Sequence, residues 1–376
     1  MNIKKLVKKI KPMYGALSSA RRIVLGSYMR LQHKRRGVDS KKVVFSSFKG
    51  ASCSDSPLAI ACALHEIRPD ADIVFQLGAK ADAPAWVRRA DPGSLSWLRE
   101  LATAKVTVDN FNKPFFQRKL PGQRYIQTWH GDRGFKKVMY DMDPDGGFPD
   151  YLDLDLCVAG SDFCEGMYRT AFRHTGEVMK NGLPRNDCLL KKKDILEARR
   201  ECGLPEAGKV VLYAPTFRDS RTGGEFRPDF DVQAAHAALE AATGEKWTFV
   251  SRAHDQNTGI AGAVIDMTDF PEMSLLMQAS DLLITDYSSC AGDFPLLGRP
   301  VILFHAPGNY DRDLYFEVEK SPFWIAHTEE ELHTLFGKLH EGEQNAKDVL
   351  DFFGTHENGR SAYDVAERIS QWMDEK

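Results

Sequence analysis

The chain has 376 residues, 43% hydrophobic and 27% charged, which fits a soluble globular protein too long for one ordinary core. Its net charge of −3 hides an asymmetry: residues 1–36 carry eleven Lys/Arg and no acid, and the rest carries −14, with 39 basic against 53 acidic residues. Seven cysteines without a C-x-x-C pair argue against a disulfide framework or zinc knuckle and suit a reducing cytosol, and no apolar run of about 18 residues predicts a transmembrane helix.

The basic N-terminus lacks the apolar core of a signal peptide. Ile3, Leu6, Val7 and Ile10 follow helical spacing between Lys4, Lys5, Lys8 and Lys9, and Ile23, Val24, Tyr28 and Leu31 repeat it among Arg21, Arg22, Arg30, Lys34, Arg35 and Arg36. Pro12 and Gly15 predict a break between two helices. Residues 1–40 therefore read as a basic amphipathic segment for an anionic membrane surface, each basic residue contributing about 1 kcal/mol there. Nucleic acid is not an expected partner, because the body is acidic and no binding motif accompanies the arm.

From residue 41 strands and helices alternate. Strands are predicted at 43–48, 73–77, 105–109, 125–129, 156–159 and 177–180, with helices at 57–67, 94–103 and from the Ser161-Asp162 cap to Phe172. A charged helical stretch over 191–206 reads as the connection to a second series. Its strands are expected at 210–215, 247–252, 263–266, 282–285 and 301–304, and its helices at 232–243, 273–279, 329–339 and 361–373. The pattern predicts an α/β protein with two Rossmann-like domains of parallel sheet, 41–190 and 191–376, whose ligands bind beyond the carboxyl ends of the strands in the inter-domain cleft. His130, Thr216, Arg218, His254, Asp286 and Ser288 all fall just after predicted strands.

The apolar run Leu282–Thr285 ends in Asp286-Tyr287-Ser288-Ser289 and a helix-like segment. Free amides and hydroxyls there predict a phosphate site at Ser288 and Ser289, with plain helix capping the simpler reading. Asp153-Leu154-Asp155 has a D-x-D form, but its alternation with leucines reads as the start of a strand. No metal site is assigned.

The segments QTWHG (127–131), GLPRND (182–187), LYAPTFR (212–218), RAH (252–254) and TDYSSCAGDFPLLGRPVILF (285–304), with a weaker echo in SSFKGASCSDSPLAI (46–60), recur in an order that resembles the CDP-glycerol glycerophosphotransferase family of teichoic-acid and capsule synthesis. The resemblance spans roughly residues 43–320. It departs from the family's HGTPLK, which runs HGDRGFKK here (130–137), and from RxHP, which is RAHD (252–255). It implies a GT-B fold, peripheral attachment to the cytoplasmic face of the cell membrane, and transfer of a polyol phosphate from CDP-glycerol or another CDP-polyol to a lipid-linked or polymeric acceptor.

On that reading His130 is the base for the acceptor hydroxyl. Arg218, Arg252 and His254 donate to phosphoryl oxygens, joined by Thr216, Ser288 and Ser289. Asp286 orients His254, bonds a donor hydroxyl or forms a salt bridge. Pro184, Arg185, Asn186 and Asp187 form a loop between the domains that binds base or ribose, or simply turns the chain. No cofactor is required; the one metal the chemistry admits is Mg²⁺ carried with the nucleotide. A GT-B glycosyltransferase using a nucleotide sugar is the alternative enzyme, and a membrane-recruited scaffold the non-enzymatic one.

Overall fold

The computed structural model describes residues 3–79, 81–114, 117–146, 153–191, 193–216, 230–252, 265–270, 272–305 and 313–375, with side chains from residue 20 onward. Thirteen strands build two sheets. The first contains β1 (Asp39–Ser46), β2 (Asp72–Gln76), β3 (Arg88–Ala90), β4 (Ala104–Asp109), β5 (Arg124–Gln127), β6 (Leu156–Ala159) and β7 (Glu177–Lys180) in the order 3-2-1-4-5-6-7. The second contains β8 (Lys209–Tyr213), β9 (Trp247–Ser251), β10 (Ile265–Asp266), β11 (Leu282–Thr285), β12 (Val301–Phe304) and β13 (Trp324–Ala326) in the order 10-9-8-11-12-13. Every pairing is parallel.

Parallel strands need a crossover between neighbours and bury both faces, which explains the continuous apolar runs Val43–Phe45, Val210–Tyr213 and Leu282–Ile284. In each sheet the strand order reverses at one place, between β1 and β4 and between β8 and β11. At such a switch point the connections leave to opposite faces and the strand ends open a space for ligand.

Two edge strands, β3 and β13, were not anticipated. Each has three residues and pairs on one side only; β3 opens with Arg88-Arg89 and offers no apolar run, and β13, Trp324-Ile325-Ala326, is apolar but too short to stand out as a strand. The helix Ala346–Phe353 was missed as well.

The last helix, Ser361–Asp374, was expected in the second domain (191–376) but returns to the first sheet, because its apolar face finds its partners there. Val365, Ala366 and Ile369 join Val43, Phe45 and Ile60 in one core. The first helix differs from expectation more sharply, because it runs without interruption from Ile3 to Arg36, through Pro12 and Gly15. A proline inside a helix removes one backbone hydrogen bond, and the neighbouring turns can carry the helix past it. Its second half is anchored by Leu25, Tyr28 and Met29, which pack against Trp97, Leu98 and Leu101, while Ile23, Val24 and Leu31 stay exposed at 67%, 65% and 43%. Tyr28 thus belongs to the packed face rather than to the exposed stripe.

Candidate active site

His130 is positioned by two strands. After β5 the chain turns at Trp129, whose φ is 51°, with the Trp129 amide donating to Gln127 Oε1 at 2.9 Å. The imidazole Nδ1 lies 2.7 Å from the carbonyl oxygen of Asn110, the residue just after β4. A carbonyl can only accept, so Nδ1 carries the proton and Nε2 keeps its lone pair. Phe111 stacks on the ring at 4.9 Å and 8°, and Phe48 meets it edge-on at 5.6 Å. Burial is the main cause that pushes the His130 pKa below its ordinary value. The Asn110 bond and the Asp55 carboxylate oppose that shift, and Arg185 adds to it. The result is a neutral imidazole whose Nε2 has no hydrogen-bond partner among the described residues, which is what a general base requires.

The backbone around this ring is strained. Phe48, Lys49, Asp55 and Trp129 have φ of 47°, 59°, 61° and 51°, at on the order of 1–3 kcal/mol each. Two of them touch the imidazole, and Lys49 sits 4.5 Å over Phe111.

At the second switch point Thr216 and Asp286, both named from sequence, bind each other. Asp286 Oδ1 accepts from the Thr216 amide at 2.8 Å and Oδ2 accepts from its hydroxyl at 2.9 Å. Thr285 Oγ donates to the Ala214 carbonyl at 2.6 Å, closing the same loop pair. Arg252 follows β9, with its Nε donating to the Phe270 carbonyl at 3.2 Å. Ser288 and Ser289 are half-buried, and Ser288 Oγ accepts from the Cys290 thiol at 3.2 Å. The helix after them, Cys290–Asp293, is a single turn, so an anion there would be held by hydroxyls and local amides more than by a long helix dipole. Tyr287 stacks on His305 at 4.1 Å and 9°, beside a hollow of about 520 Å³ edged by Glu317 and Glu319. Arg218 and His254 lie outside the described residues.

Residues 27–371 match the family described as CDP-Glycerol:Poly(glycerophosphate) glycerophosphotransferase. The chain belongs to this family. It is 28% identical over 362 residues to the teichoic acid poly(glycerol phosphate) polymerase of Bacillus subtilis (strain 168), covering 87% of this chain and 48% of that one. It is 30% identical over 305 residues to the teichoic acid glycerol-phosphate transferase of Staphylococcus aureus (strain NCTC 8325 / PS 47), covering 73% and 75%. The chain thus spans about half the length of the B. subtilis relative. The solved structure of the wall teichoic acid polymerase TagF superposes with a TM-score of 0.81 at 23% identity, over 99% of this chain and 98% of that one, which establishes a shared fold.

In this glycerophosphotransferase-family chain the segment after His130 crosses to the second half. Gly131 packs against Ser289, where an added Cβ would lie 3.6 Å from the serine Cβ. Arg133 is fully buried, donating through Nε to the Gly292 carbonyl and through Nη2 to Asp293 and Glu357, each at 2.8 Å. Gly292 is obligatory there, because a Cβ would collide with Arg133. Asp132 accepts from the Gly160 amide and the Ser161 hydroxyl, both at 2.6 Å. Farther on, the Lys137 amide donates to the Asp313 carbonyl at 2.9 Å.

The loop Pro184–Asp187 is absorbed into the same junction. Arg185 Nη1 donates to the His130 carbonyl at 2.8 Å and to Asp55 at 3.0 Å, and Nη2 donates to Asp293 at 2.8 Å. Asn186 donates to Asp293 and Glu357, each at 3.0 Å. Asp187 caps the final helix by accepting from the Ser361 and Ala362 amides. Pro184 opens the short turn that presents the other three. Asp153 pairs with Arg118 and Asp155 with Lys119, which occupies the D-x-D carboxylates within the first unit.

Sequence reasoning missed Asn110, Phe111, Asp55 and Arg133. Asn110 and Phe111 directly follow β4 at the switch point, the same signal that selected His130. Arg133 sits in a stretch noticed only as a departure from HGTPLK.

Proposed function

We propose that the chain transfers a polyol phosphate, glycerol phosphate first among candidates, from a CDP-polyol to a hydroxyl of a membrane-linked or polymeric acceptor. The acceptor oxygen attacks the β-phosphorus, the bond from that phosphorus to the bridging oxygen breaks, and CMP leaves. His130 Nε2 takes the hydroxyl proton. The observation that carries this reading is the fixed tautomer of His130, whose Nδ1 is committed to the Asn110 carbonyl. In a GT-B arrangement the unit of the first sheet, which takes in the last helix, receives the acceptor and the unit of the second sheet the nucleotide, across a cleft between the two sheets. Ser288, Ser289 and Arg252 hold the pyrophosphate, with Thr216 and Asp286 fixing the loop beside them. Arg218 and His254 complete that donor set. The chemistry is mainly positioning and charge stabilisation, at about 2.7–4 kcal/mol for each well-placed donor.

The exposed Ile23, Val24 and Leu31 among arginines and lysines support peripheral docking on the cytoplasmic face of the membrane. Among the described residues no helix is long and apolar enough to cross a membrane.

The deciding experiment incubates the protein with membranes and a panel of CDP-glycerol, CDP-ribitol and common nucleotide sugars and resolves the nucleotides released. Acceptor-dependent CMP, with the polyol phosphate recovered on the acceptor, is expected. UDP or GDP release with sugar transfer would replace this reading with a nucleotide-sugar glycosyltransferase.

A further inference from the structure

Phe111 does more than stack on His130. It also lines a separate cavity of about 370 Å³ between the first helix and the ends of β1, β2 and β4. The deep surfaces are polar: Ser46, Gln76 and Asp109 are all buried, and Ser46 Oγ donates to Gln76 Oε1 at 2.7 Å. Trp97 and Leu98 form an apolar wall. The Trp97 Nε1 is buried, with no hydrogen-bond partner among the described residues, an arrangement that costs roughly 1–3 kcal/mol unless something fills the demand. Asp109 Oδ2 faces the Lys113 ammonium at 3.3 Å and has no well-aligned hydrogen bond.

The mouth is basic. Arg21 and Arg22 on the first helix are exposed and form no ion pair among the described residues, and Lys49 stands beside them over Phe111. Asp109 and Lys113 offset each other. Burial is the first cause acting on both, raising the carboxyl and lowering the ammonium, and each partner's charge holds the other. The unbalanced charge at the cavity is therefore that of Arg21, Arg22 and Lys49, which selects an anion. The buried hydroxyl, amide and carboxylate select a ligand rich in hydroxyls, and the indole selects one with an oxygen acceptor and C–H faces.

We propose that this cavity is a subsite for a glycerophosphodiester, the last phosphate-linked polyol unit of the acceptor chain. The polyol hydroxyls bond Asp109, Ser46 and Gln76, one ligand oxygen accepts from Trp97 Nε1, and the phosphodiester sits against Arg21 and Arg22. Phe111 connects this pocket to His130, so a chain seated here is held next to the base. The assignment rests on reading His130 as the acceptor-side base, and it makes the first helix part of the substrate site. That helix has two faces: Arg21 and Arg22 border the cavity, and Ile23, Val24 and Leu31 point to solvent.

The test uses the full chain and the soluble diester glycerophosphoglycerol, with binding read by calorimetry and by quenching of tryptophan fluorescence, and without turnover. Saturable binding is expected, weakening as salt is raised. The double substitution Arg21→Ala/Arg22→Ala, at exposed positions, should weaken it about 10-fold and leave CDP-glycerol affinity unchanged. Trp97→Phe, which removes the N–H and keeps the ring, should weaken it about 5-fold. In turnover assays the double variant should raise the acceptor KM and spare kcat. Equal diester binding by wild type and the double variant would overturn the subsite. So would binding of phosphatidylglycerol vesicles through these arginines without any saturable binding of the soluble diester, which would give them to lipid headgroups. Diester binding that depends on Arg21 and Arg22, in a protein that releases no CMP from any CDP-polyol, would uphold the subsite and remove the transferase reading.

Discussion

At the scale of single residues the decisive feature is that His130 is kept neutral. Burial depresses its pKa, so as the proposed base it stays competent below the ordinary histidine value, and the acid limb of kcat/KM should fall at a pH below about 6.5. Asp55 favours the imidazolium, so Asp55→Asn should move that limb lower still, and a pH–rate series on both proteins checks the direction. A limb above 6.5 in the wild type would remove His130 as the base. His130→Ala should reduce transfer about 10²–10⁴-fold with CDP-polyol binding retained. The sign for stability is the same: the unfolded chain binds this proton more readily, so stability is lost as pH falls from the unfolded value through the folded one. The position of His130 was legible in sequence, because it follows a strand and precedes glycine. Its tautomer was not, because the carbonyl that sets it comes from the end of another strand, 20 residues earlier.

At the scale of elements, periodicity located strands with two buried faces to within a few residues, as at Leu156–Ala159 and Leu282–Thr285. It failed where pairing, not composition, makes the strand, as in Arg88–Ala90. The first helix shows the other limit. Its apolar positions were legible, but which of them meet solvent depends on Trp97 and Leu101, far along the chain. Met29 is only 2% exposed, so deleting residues 1–36 would open a core as well as remove any membrane contact. Substituting only the outward residues separates the two effects. Ile23→Glu/Val24→Glu/Leu31→Glu should abolish flotation with anionic vesicles and leave the melting temperature within a few degrees of wild type, since exposed substitutions are nearly neutral. Unchanged flotation would assign membrane contact to another surface.

At the scale of the molecule, an α/β fold with two parallel sheets was legible from alternating strands and helices, but the way the two sheets are joined was not. The junction is a buried cluster in which Arg133 and Arg185 face Asp132, Asp293, Glu357 and Asp55, drawn from five separate stretches of chain. No local pattern announces such a cluster, because its members read singly as surface charges. Its placement ties stability to activity: Arg185 holds the His130 carbonyl, and Asp293 ends the turn that follows Ser288 and Ser289. Arg133→Ala would leave four carboxylates against one remaining guanidinium in a largely buried site, so the expected loss is about 3–5 kcal/mol, read as a lower denaturant midpoint at pH 7. The deficit should narrow in acid. Burial already holds the Glu357 carboxyl above its ordinary pKa, so this group takes a proton first once its arginine is gone, and protonation relieves the repulsion the substitution creates. Midpoints measured at pH 7 and pH 5 separate this from a packing defect, since a cavity left by the lost side chain would cost the same at both.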